Sequence, residues 1–136
     1  MDRLFLEFVS PERKFVSELV DEIYAPGAEG DLGVLPGHAA LVCALREGEF
    51  RYRIGSEVEY LAVDGGFMEI LDNKVTVLAD GAELGRELDL DELLRRKTET
   101  EKELEGARKE DNYNFKVLEA KLRRELVRIG VAKNYQ

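Results

Sequence analysis

The side chains that could do chemistry in this sequence are few, and their spacing matches no catalytic or metal-binding pattern. The 136 residues include one histidine, His38, and one cysteine, Cys43, whereas a zinc site needs several such ligands. The sequence has no G-x-x-x-x-G-K-[ST] phosphate loop. Gly65-Gly66 precedes a predicted strand rather than a helix, which favours a bulge or a close backbone approach over a dinucleotide site. We therefore expect no catalytic residue, no metal and no cofactor, which leaves a binding or assembly protein.

The single histidine lies in an unusual stretch, residues 30–42, with the sequence GDLGVLPGHAALV. Glycine and proline at this density mark a surface turn, where polar side chains are the rule. Here the intervening residues are Leu32, Val34 and Leu35. The stretch therefore either packs into its own core or stays apolar for a partner. At such a position His38 could be a general base, a hydrogen-bonded structural residue or a contact residue.

Length and charge restrict the class of protein. A chain of 136 residues with 44% hydrophobic residues suggests one domain, or one domain with an appendage. Its longest apolar run, Ala39–Leu45, is far too short to cross a bilayer, and we expect no signal peptide. Residues 1–86 carry 8 Lys/Arg against 17 Asp/Glu, whereas residues 115–136 carry 6 against 2. The acidic body disfavours nucleic acid as a partner, and the basic tail could bind an anion, an acidic protein or its own acidic neighbours.

Glycine and proline also divide the chain into two parts. Ten of the twelve glycines and all three prolines lie at or before Gly85. In that part apolar and polar residues alternate, and short turn signals at Gly55-Ser56 and Asp72-Asn73 predict hairpins. The apolar positions of the clearest strands are Leu4, Leu6, Phe8, Phe50, Tyr52 and Ile54. This pattern predicts an antiparallel sandwich or barrel.

The remainder of the chain predicts two helices. Asp89 followed by Glu92 is a capping-box pattern, and the first helix should run to about Glu110. It is so polar that it should be a solvated surface held by ion pairs, or else await a partner. Residues 111–114 should form the turn. The second helix carries an apolar stripe made of Phe115, Leu118, Leu122, Leu126 and Ile129. Because the first helix offers this stripe little apolar surface, we expect a marginally stable hairpin that can move.

Three segments resemble the epsilon subunit of bacterial F-type ATP synthases. EGDLGVLPGHAALV, residues 29–42, is similar to the family's Glu-Gly-(Glu/Asp)-Leu-Gly-Ile-(Leu/Tyr)-Pro-Gly-His-Ala-Pro-Leu. LAVDGGFMEI, residues 61–70, is similar to (Val/Leu)-Ser-Gly-Gly-(Phe/Ile)-(Leu/Met)-Glu-Val, and KVTVLAD, residues 74–80, matches closely. The three motifs occur in the family's order along the predicted sandwich.

The resemblance implies a ten-stranded antiparallel β-sandwich, residues 1–86, followed by a C-terminal α-helical hairpin, residues 87–136. The sandwich would bind the gamma subunit and the c-ring in the central stalk, and the hairpin would reach the alpha and beta subunits. The implied subunit is non-catalytic, couples proton-driven rotation to ATP synthesis and inhibits ATP hydrolysis through its helices. It would lie at the cytoplasmic face of the bacterial inner membrane, as a peripheral component that reaches the membrane only through the complex.

The resemblance also answers the question raised by residues 30–42. It implies that this loop meets the c-ring, with Asp31 at the contact position and His38 close by. Leu32 and Leu35 would then anchor the loop. Asp31 and His38 are thus the candidate residues for contact with the c-ring and gamma.

Some members of the family bind ATP in the hairpin, through (Ile/Leu)-Asp-x-x-Arg-Ala on the first helix and two arginines on the second. By that resemblance the candidate residues for a regulatory ATP site are Asp91, Arg95, Arg124 and Arg128. Arg124 and Arg128 share one helix face at i, i+4. The first-helix arginine is missing from its place, where Glu92 or Leu94 stands according to the alignment, and Arg95 comes one position late.

A carboxylate in place of that arginine would repel a triphosphate, so we expect ATP to bind weakly or not at all. The basic second helix should instead bind protein carboxylates, on the first helix or, when extended, on the alpha and beta subunits. The alternative to an assembly subunit is a free-standing β-sandwich that binds a ligand, and an enzyme is a more distant one. Co-migration with a gamma subunit would separate the first two readings, and turnover by the isolated chain would revive the third.

Overall fold

Within residues 2–107 and 112–136, which the computed structural model describes, eight strands precede two helices. The strands are β1 Leu4–Val9, β2 Lys14–Val20, β3 Glu22–Gly27, β4 Gly30–Val34, β5 Leu41–Ile54, β6 Glu57–Leu71, β7 Lys74–Ala79 and β8 Ala82–Leu84. A 3-10 turn, Gly85–Glu87, leads to α1 Leu90–Gly106 and α2 Asn112–Tyr135. The predicted class, a β-sandwich followed by a helical hairpin, is confirmed.

The strands form one sheet that folds over on itself. Its order is β2-β1-β7-β6-β5-β3-β4, with β8 added to β6. Phe8 on β1 and Phe50 on β5 are not on neighbouring strands, yet their ring centroids lie 5.0 Å apart in an edge-to-face contact. The sheet therefore has two layers packed face to face. We call β2, β1 and β7 with residues 41–45 and 66–71 the first layer, and β3, β4 and β8 with residues 46–54 and 57–65 the second layer.

The expected number of ten strands is wrong, because β5 and β6 run unbroken through both layers. They pair in one register from Leu41 opposite Ile70 to Ile54 opposite Glu57. The two short strands expected on either side of Gly65-Gly66 are thus halves of one strand. Counting each half of β5 and β6 separately would give ten, so the layered plan is right although the described residues hold eight strands.

Gly65 and Gly66 allow β6 to cross between the layers. Their φ angles are +100° and +140°, which side chains with a Cβ rarely adopt. A Cβ on Gly66 would overlap the carbonyl oxygen of Leu78 and lie 2.8 Å from the Cα of Ala79. The close backbone approach predicted at this pair is confirmed.

Local sequence signals account for the strands and their turns. Leu4, Leu6 and Phe8 are fully buried, as their alternation predicts. Both predicted two-residue connections are present, between β5 and β6 and between β6 and β7. Asp72 and Asn73 have φ of 50° and 63°, the left-handed pair that a tight hairpin turn requires.

The hairpin follows the prediction in part. The Asp89 side chain accepts a hydrogen bond from the Glu92 backbone N–H at 3.2 Å, which confirms the predicted helix start. The first helix ends at Gly106, before the expected end near Glu110, and Ala107 is extended. Glu110 itself and the turn residue Asp111 lie outside the described residues. The rest of the predicted turn, residues 112–114, is wrong because it belongs to α2.

The apolar stripe of α2 is displaced from its predicted course. Leu118 and Ile129 are buried as predicted, but Leu126 is 47% exposed. The buried face passes through Glu125 instead, because a spacing of three after position 122 keeps a 3.6-residue helix on one face. Leu126 therefore points away from α1.

The second layer carries the hairpin. Val131 and Ala132 of α2 are buried, and the Asn134 side-chain N–H donates to Glu49 on β5 at 2.7 Å. The hydrogen bonds and ion pairs that Arg123, Arg128 and Asn134 make to the sandwich all end on second-layer residues. Neither described helix lies over the outer face of the first layer.

Candidate functional site

Asp31 lies on β4, next to the β3–β4 turn, with an exposed carboxylate. Its Oδ1 accepts a hydrogen bond from Arg46 Nη2 at 2.5 Å, and Arg46 Nη1 donates to the carbonyl of Gly27 at 2.6 Å. The arginine thus ties the carboxylate to the turn. About 75% of the Asp31 side chain remains exposed, so a partner can still contact it.

His38 lies at the other end of the same stretch, in the loop between β4 and β5. Its Nδ1 is 2.7 Å from the carbonyl oxygen of Ala39. Because a carbonyl can only accept, this contact assigns the ring proton of the neutral imidazole to Nδ1 and leaves Nε2 as an acceptor. The loop is held by the Gly37 N–H, which donates to the Asn73 side chain at 2.7 Å. No hydrogen bond or ion pair between described residues joins His38 to Asp31.

The two leucines of this stretch behave differently. Leu32 packs against the core, as expected of an anchor. Leu35 is 56% exposed, so its expected role as an anchor is wrong. The alternation of β4 explains the difference, since it turns Val34 inward, with no exposed surface, and the next residue outward.

A groove of about 480 Å³ lies beside Asp31. It is lined by residues 27–32 and 41–44. Cys43 is half-buried there and packs against the core, as small apolar side chains do. Burial raises the pKa of its thiol, which keeps it protonated and unreactive.

The outer face of the first layer exposes an apolar row that sequence reasoning missed. Ala44, Phe67, Leu78 and Val9 lie in register across β5, β6, β7 and β1. Phe67 is 59% exposed and Leu78 is 56% exposed, and Val42 and Leu71 stand beside them with similar exposure. The signal was present in the sequence, since Phe67 and Leu78 each alternate with buried residues. We call these six residues the outer row.

The four candidate ATP residues do not converge. Arg124 and Arg128 line a groove of about 400 Å³ between the helices, whereas Asp91 and Arg95 do not line it. Arg95 is exposed and lies 3.9 Å from Glu92 and 4.0 Å from Glu99. Such pairs are the solvated i, i+3 and i, i+4 contacts predicted for the first helix.

The arginine that does line the groove from α1 is Arg96, which sequence reasoning missed. Its Nη2 lies 2.6 Å from the Glu92 carboxylate. The groove also contains Glu99 and Glu125, so acidic side chains stand among its cations. The lining is therefore of mixed charge rather than uniformly basic.

Arg128 is already bound within the chain. Its Nη1 and Nη2 donate to the two carboxylate oxygens of Asp64 at 2.7 and 2.9 Å, and its Nε donates to Glu83 at 2.6 Å. Both carboxylates belong to the sandwich, so the expectation that the basic helix binds carboxylates of the first helix is wrong for this residue. The alternative prediction, that the basic tail binds the chain's own acidic neighbours, is correct for Arg128.

Two further observations concern the described residues as a set. Among the described residues no group of three or more His, Cys, Asp or Glu side chains is arranged to hold a metal ion. No helix in that part of the chain is both long and apolar enough to cross a membrane.

Comparison with known proteins agrees with this architecture. Residues 3–85 match the family described as ATP synthase, Delta/Epsilon chain, beta-sandwich domain. The chain is 39% identical over 132 residues to the ATP synthase epsilon chain of Syntrophobacter fumaroxidans, covering 97% of each. It is 42% identical over 131 residues to that of Citrifermentans bemidjiense, covering 96% of this chain and 94% of the relative.

Solved structures share the fold. A chain of the Euglena gracilis mitochondrial ATP synthase, from a cryo-EM structure of its OSCP/F1/c-ring in rotational state 1, has a TM-score of 0.74 at 20% identity. The match covers 91% of this chain and 79% of that one. A chain of the Tetrahymena thermophila mitochondrial ATP synthase central stalk and c-ring has a TM-score of 0.55 at 18% identity, covering 63% and 69%.

Proposed function

The chain belongs to the ATP synthase delta/epsilon family, among its epsilon chains, and we propose on that premise that it binds gamma through the outer row. The observation that carries this proposal is the exposure of Phe67 and Leu78 in the middle of a sheet face. Contiguous apolar patches of this kind mark protein interfaces. The hairpin covers the other layer, so the first layer is free for a partner.

Binding of gamma tests this assignment. Phe67→Ser with Leu78→Ser should weaken binding to the gamma subunit of the same genome at least tenfold, because two apolar anchors are lost. Val58→Ser is the matched control, since Val58 is an exposed residue of the same strand in the second layer. Titration calorimetry should find the control within about twofold of the wild type. Unchanged binding by the double variant would reject the outer row as the interface.

The loop around Asp31 and His38 is proposed to meet the c-ring. The exposed carboxylate and the loop held by Gly37 support this role, because a preorganised loop loses little freedom on binding. His38 is the single histidine, so acylation by diethyl pyrocarbonate reports on one site by mass spectrometry. We expect it to react in the isolated chain and to be protected in the assembled rotor. Equal reactivity in both would remove the contact role.

The hairpin is proposed to restrain ATP hydrolysis by the alpha and beta subunits. Arg124 supports this, because its guanidinium has no ion pair among the described residues and is thus available to a partner carboxylate. In the assembled enzyme Arg124→Ala should raise ATP hydrolysis towards the rate obtained when residues 87–136 are deleted. Arg123→Ala serves as the control, because its charge faces Glu47 at 3.9 Å in the docked hairpin. Equal effects of the two substitutions would contradict a specific role for Arg124.

The chain itself is proposed to be non-catalytic and to reach the cytoplasmic face of the membrane only as part of the complex. ATP is not assigned as a regulatory ligand, since Asp91 and Arg95 stand apart from the groove that holds the second-helix arginines. The coupling role follows from membership of the rotor, because a subunit fixed to gamma and the c-ring must turn with both.

A further inference from the structure

We propose that Asp64 and Glu83 form a carboxylate clamp on Arg128, which docks the helical hairpin on the sandwich without any anionic ligand. This inference concerns the isolated chain and does not depend on binding to gamma or the c-ring. It gives the hairpin a docked state that is maintained by the chain's own charges.

The clamp engages all three nitrogens of the Arg128 guanidinium. Asp64 accepts from both terminal nitrogens in a fork, and Glu83 accepts from Nε, at distances of 2.6 to 2.9 Å. Charge-assisted bonds of this bidentate kind are the strong ones among side chains. Only 11% of the Arg128 side chain is exposed, so water competes little with the clamp.

The two carboxylates are held in place by the sheet. Asp64 precedes the Gly65-Gly66 crossing on β6, and its N–H donates to the carbonyl of Gly81 at 2.9 Å. Glu83 lies on β8, in register with Ala62 of β6. Gly81 leaves room for the clamp, since a Cβ there would lie 2.8 Å from Asp64 Oδ2. The sandwich thus presents a preformed acceptor to the incoming helix.

The charge state of Arg128 fits this arrangement. Burial lowers the pKa of Arg128, but the hydrogen bonds and charges of Asp64 and Glu83 more than offset it, so the pKa lies above its ordinary value. The guanidinium therefore stays charged when docked. Removing one carboxylate would leave that charge buried and only partly paired, which is costly.

The clamp also makes Arg128 a poor anion ligand in the docked state. Three of the five guanidinium N–H donors are already engaged by Asp64 and Glu83, and these two carboxylates would repel a phosphate group. We therefore expect an added polyanion to compete with the clamp rather than to fasten the hairpin further.

Hydrogen exchange of the full chain, read by mass spectrometry, tests the clamp. In Asp64→Asn the amides of residues 121–135 should exchange at least about tenfold faster. This change corresponds to a loss of about 1.4 kcal/mol in the free energy of docking. Strands β1 and β7 should keep their wild-type exchange. Arg124→Ala, on the same helix face and without an ion pair among the described residues, should change exchange less than about twofold. Wild-type exchange in Asp64→Asn would overturn the proposal.

Asp64 lies at the crossing between the two layers, so Asp64→Asn could disturb the fold of the sandwich. A second variant is therefore needed. Glu83→Gln alters a half-exposed side chain and should speed exchange of α2 in the same direction. In a double-mutant cycle, Asp64→Asn added to Arg128→Met should have no further effect, since the pair is already broken. Fully additive effects would show that the two residues act independently and would contradict the clamp.

A separate measurement tests whether docking of the hairpin needs an anionic ligand. Magnesium ATP and tripolyphosphate are added to the wild type at millimolar concentration. Exchange of residues 121–135 should stay the same or become faster. Slower exchange with either probe would overturn the proposal and show that the hairpin is fastened by an anion.

Discussion

The sandwich and the helical hairpin are held together by different means. The sandwich buries large apolar side chains completely, among them Phe8, Phe50 and Ile70. The hairpin buries a small apolar cluster of Leu93, Ile129 and Ala132. Its packed faces also enclose Thr100 Oγ1 and Glu125 Oε1, which have no hydrogen-bond partner among the described residues.

This difference separates the stability of the fold from the position of the helices. Burial of apolar area dominates the free energy of folding, and the sandwich holds most of it. Unpaired buried polar atoms reduce the stability of the hairpin. Its attachment relies on Val131 and on the ion pairs of Arg128. We therefore expect the hairpin to leave the sandwich at a cost well below that of unfolding.

The largest expected effect is on the sandwich core. Phe50→Ala should lower the free energy of unfolding by about 3–5 kcal/mol, because it removes a ring buried against Phe8. Phe67→Ala is the matched control, since the same side chain is exposed there, and it should change stability by less than about 1 kcal/mol. Urea unfolding measures both. Similar losses in the two variants would show that the core does not dominate.

A smaller loss of stability should appear at alkaline pH, where Tyr52 loses its proton. Burial and the nearby carboxylates of Glu18 and Glu59 raise the pKa of Tyr52 to about 12, from an ordinary value of 10.0. Between these values the unfolded chain loses the proton and the folded chain keeps it. The contribution of Tyr52 to the free energy of unfolding is therefore fully present below pH 10 and is lost as the pH rises to about 12.

That loss should be about 2–3 kcal/mol by linkage. Urea titrations at pH 8 and pH 11.5 should show a smaller decline in stability for Tyr52→Phe than for the wild type. Tyr113→Phe, which alters an exposed ring, should decline as the wild type does. An unchanged decline in Tyr52→Phe would show that Tyr52 does not link stability to pH.

The hairpin should become more stable when its buried hydroxyl is removed. Thr100→Val keeps the shape of the side chain and eliminates an oxygen that has no partner among the described residues. We expect amide exchange in α1 and α2 to slow by an amount that corresponds to about 1 kcal/mol of added hairpin stability. Amide exchange in the sandwich should not change. Thr98→Val is the control, because its exposed hydroxyl donates to the Leu94 carbonyl. Faster exchange in Thr100→Val would indicate that the hydroxyl is satisfied in solution.

The smallest effect is expected on the surface of α1. Arg95→Ala should change the stability of the hairpin, measured by amide exchange, by less than about 0.5 kcal/mol. The reason is that the ion pairs of Arg95 with Glu92 and Glu99 are exposed. Thermal unfolding should likewise remain within error of the wild type. A large loss would give Arg95 a role that the docked hairpin does not show.

Local sequence patterns predicted what depends on neighbours along the chain. The alternation of Leu4, Leu6 and Phe8, the turn at Asp72-Asn73 and the cap at Asp89 are set within a few residues, and all three are confirmed. The strand number of ten was implied by the family resemblance, and it differs from the eight strands of the described residues because β5 and β6 each run unbroken through both layers.

Features that depend on distant contacts were missed. Arg128 and Asp64 are 64 positions apart, so nothing in either local pattern indicates their pairing. The outer row draws on four strands, and only the register brings Phe67, Leu78 and Val9 side by side. Leu35 was misjudged because it comes directly after the buried Val34 at the end of β4, where the alternation turns it outward.

The most direct test of the separation between sandwich and hairpin uses residues 1–86 alone. We expect this fragment to fold cooperatively and to bind gamma with an affinity within about threefold of the full chain, about 0.7 kcal/mol. Urea unfolding and titration calorimetry on the fragment and on the full chain give both quantities. An unfolded fragment, or a folded one that fails to bind gamma, would contradict the claim that the sandwich carries the stability and the interface.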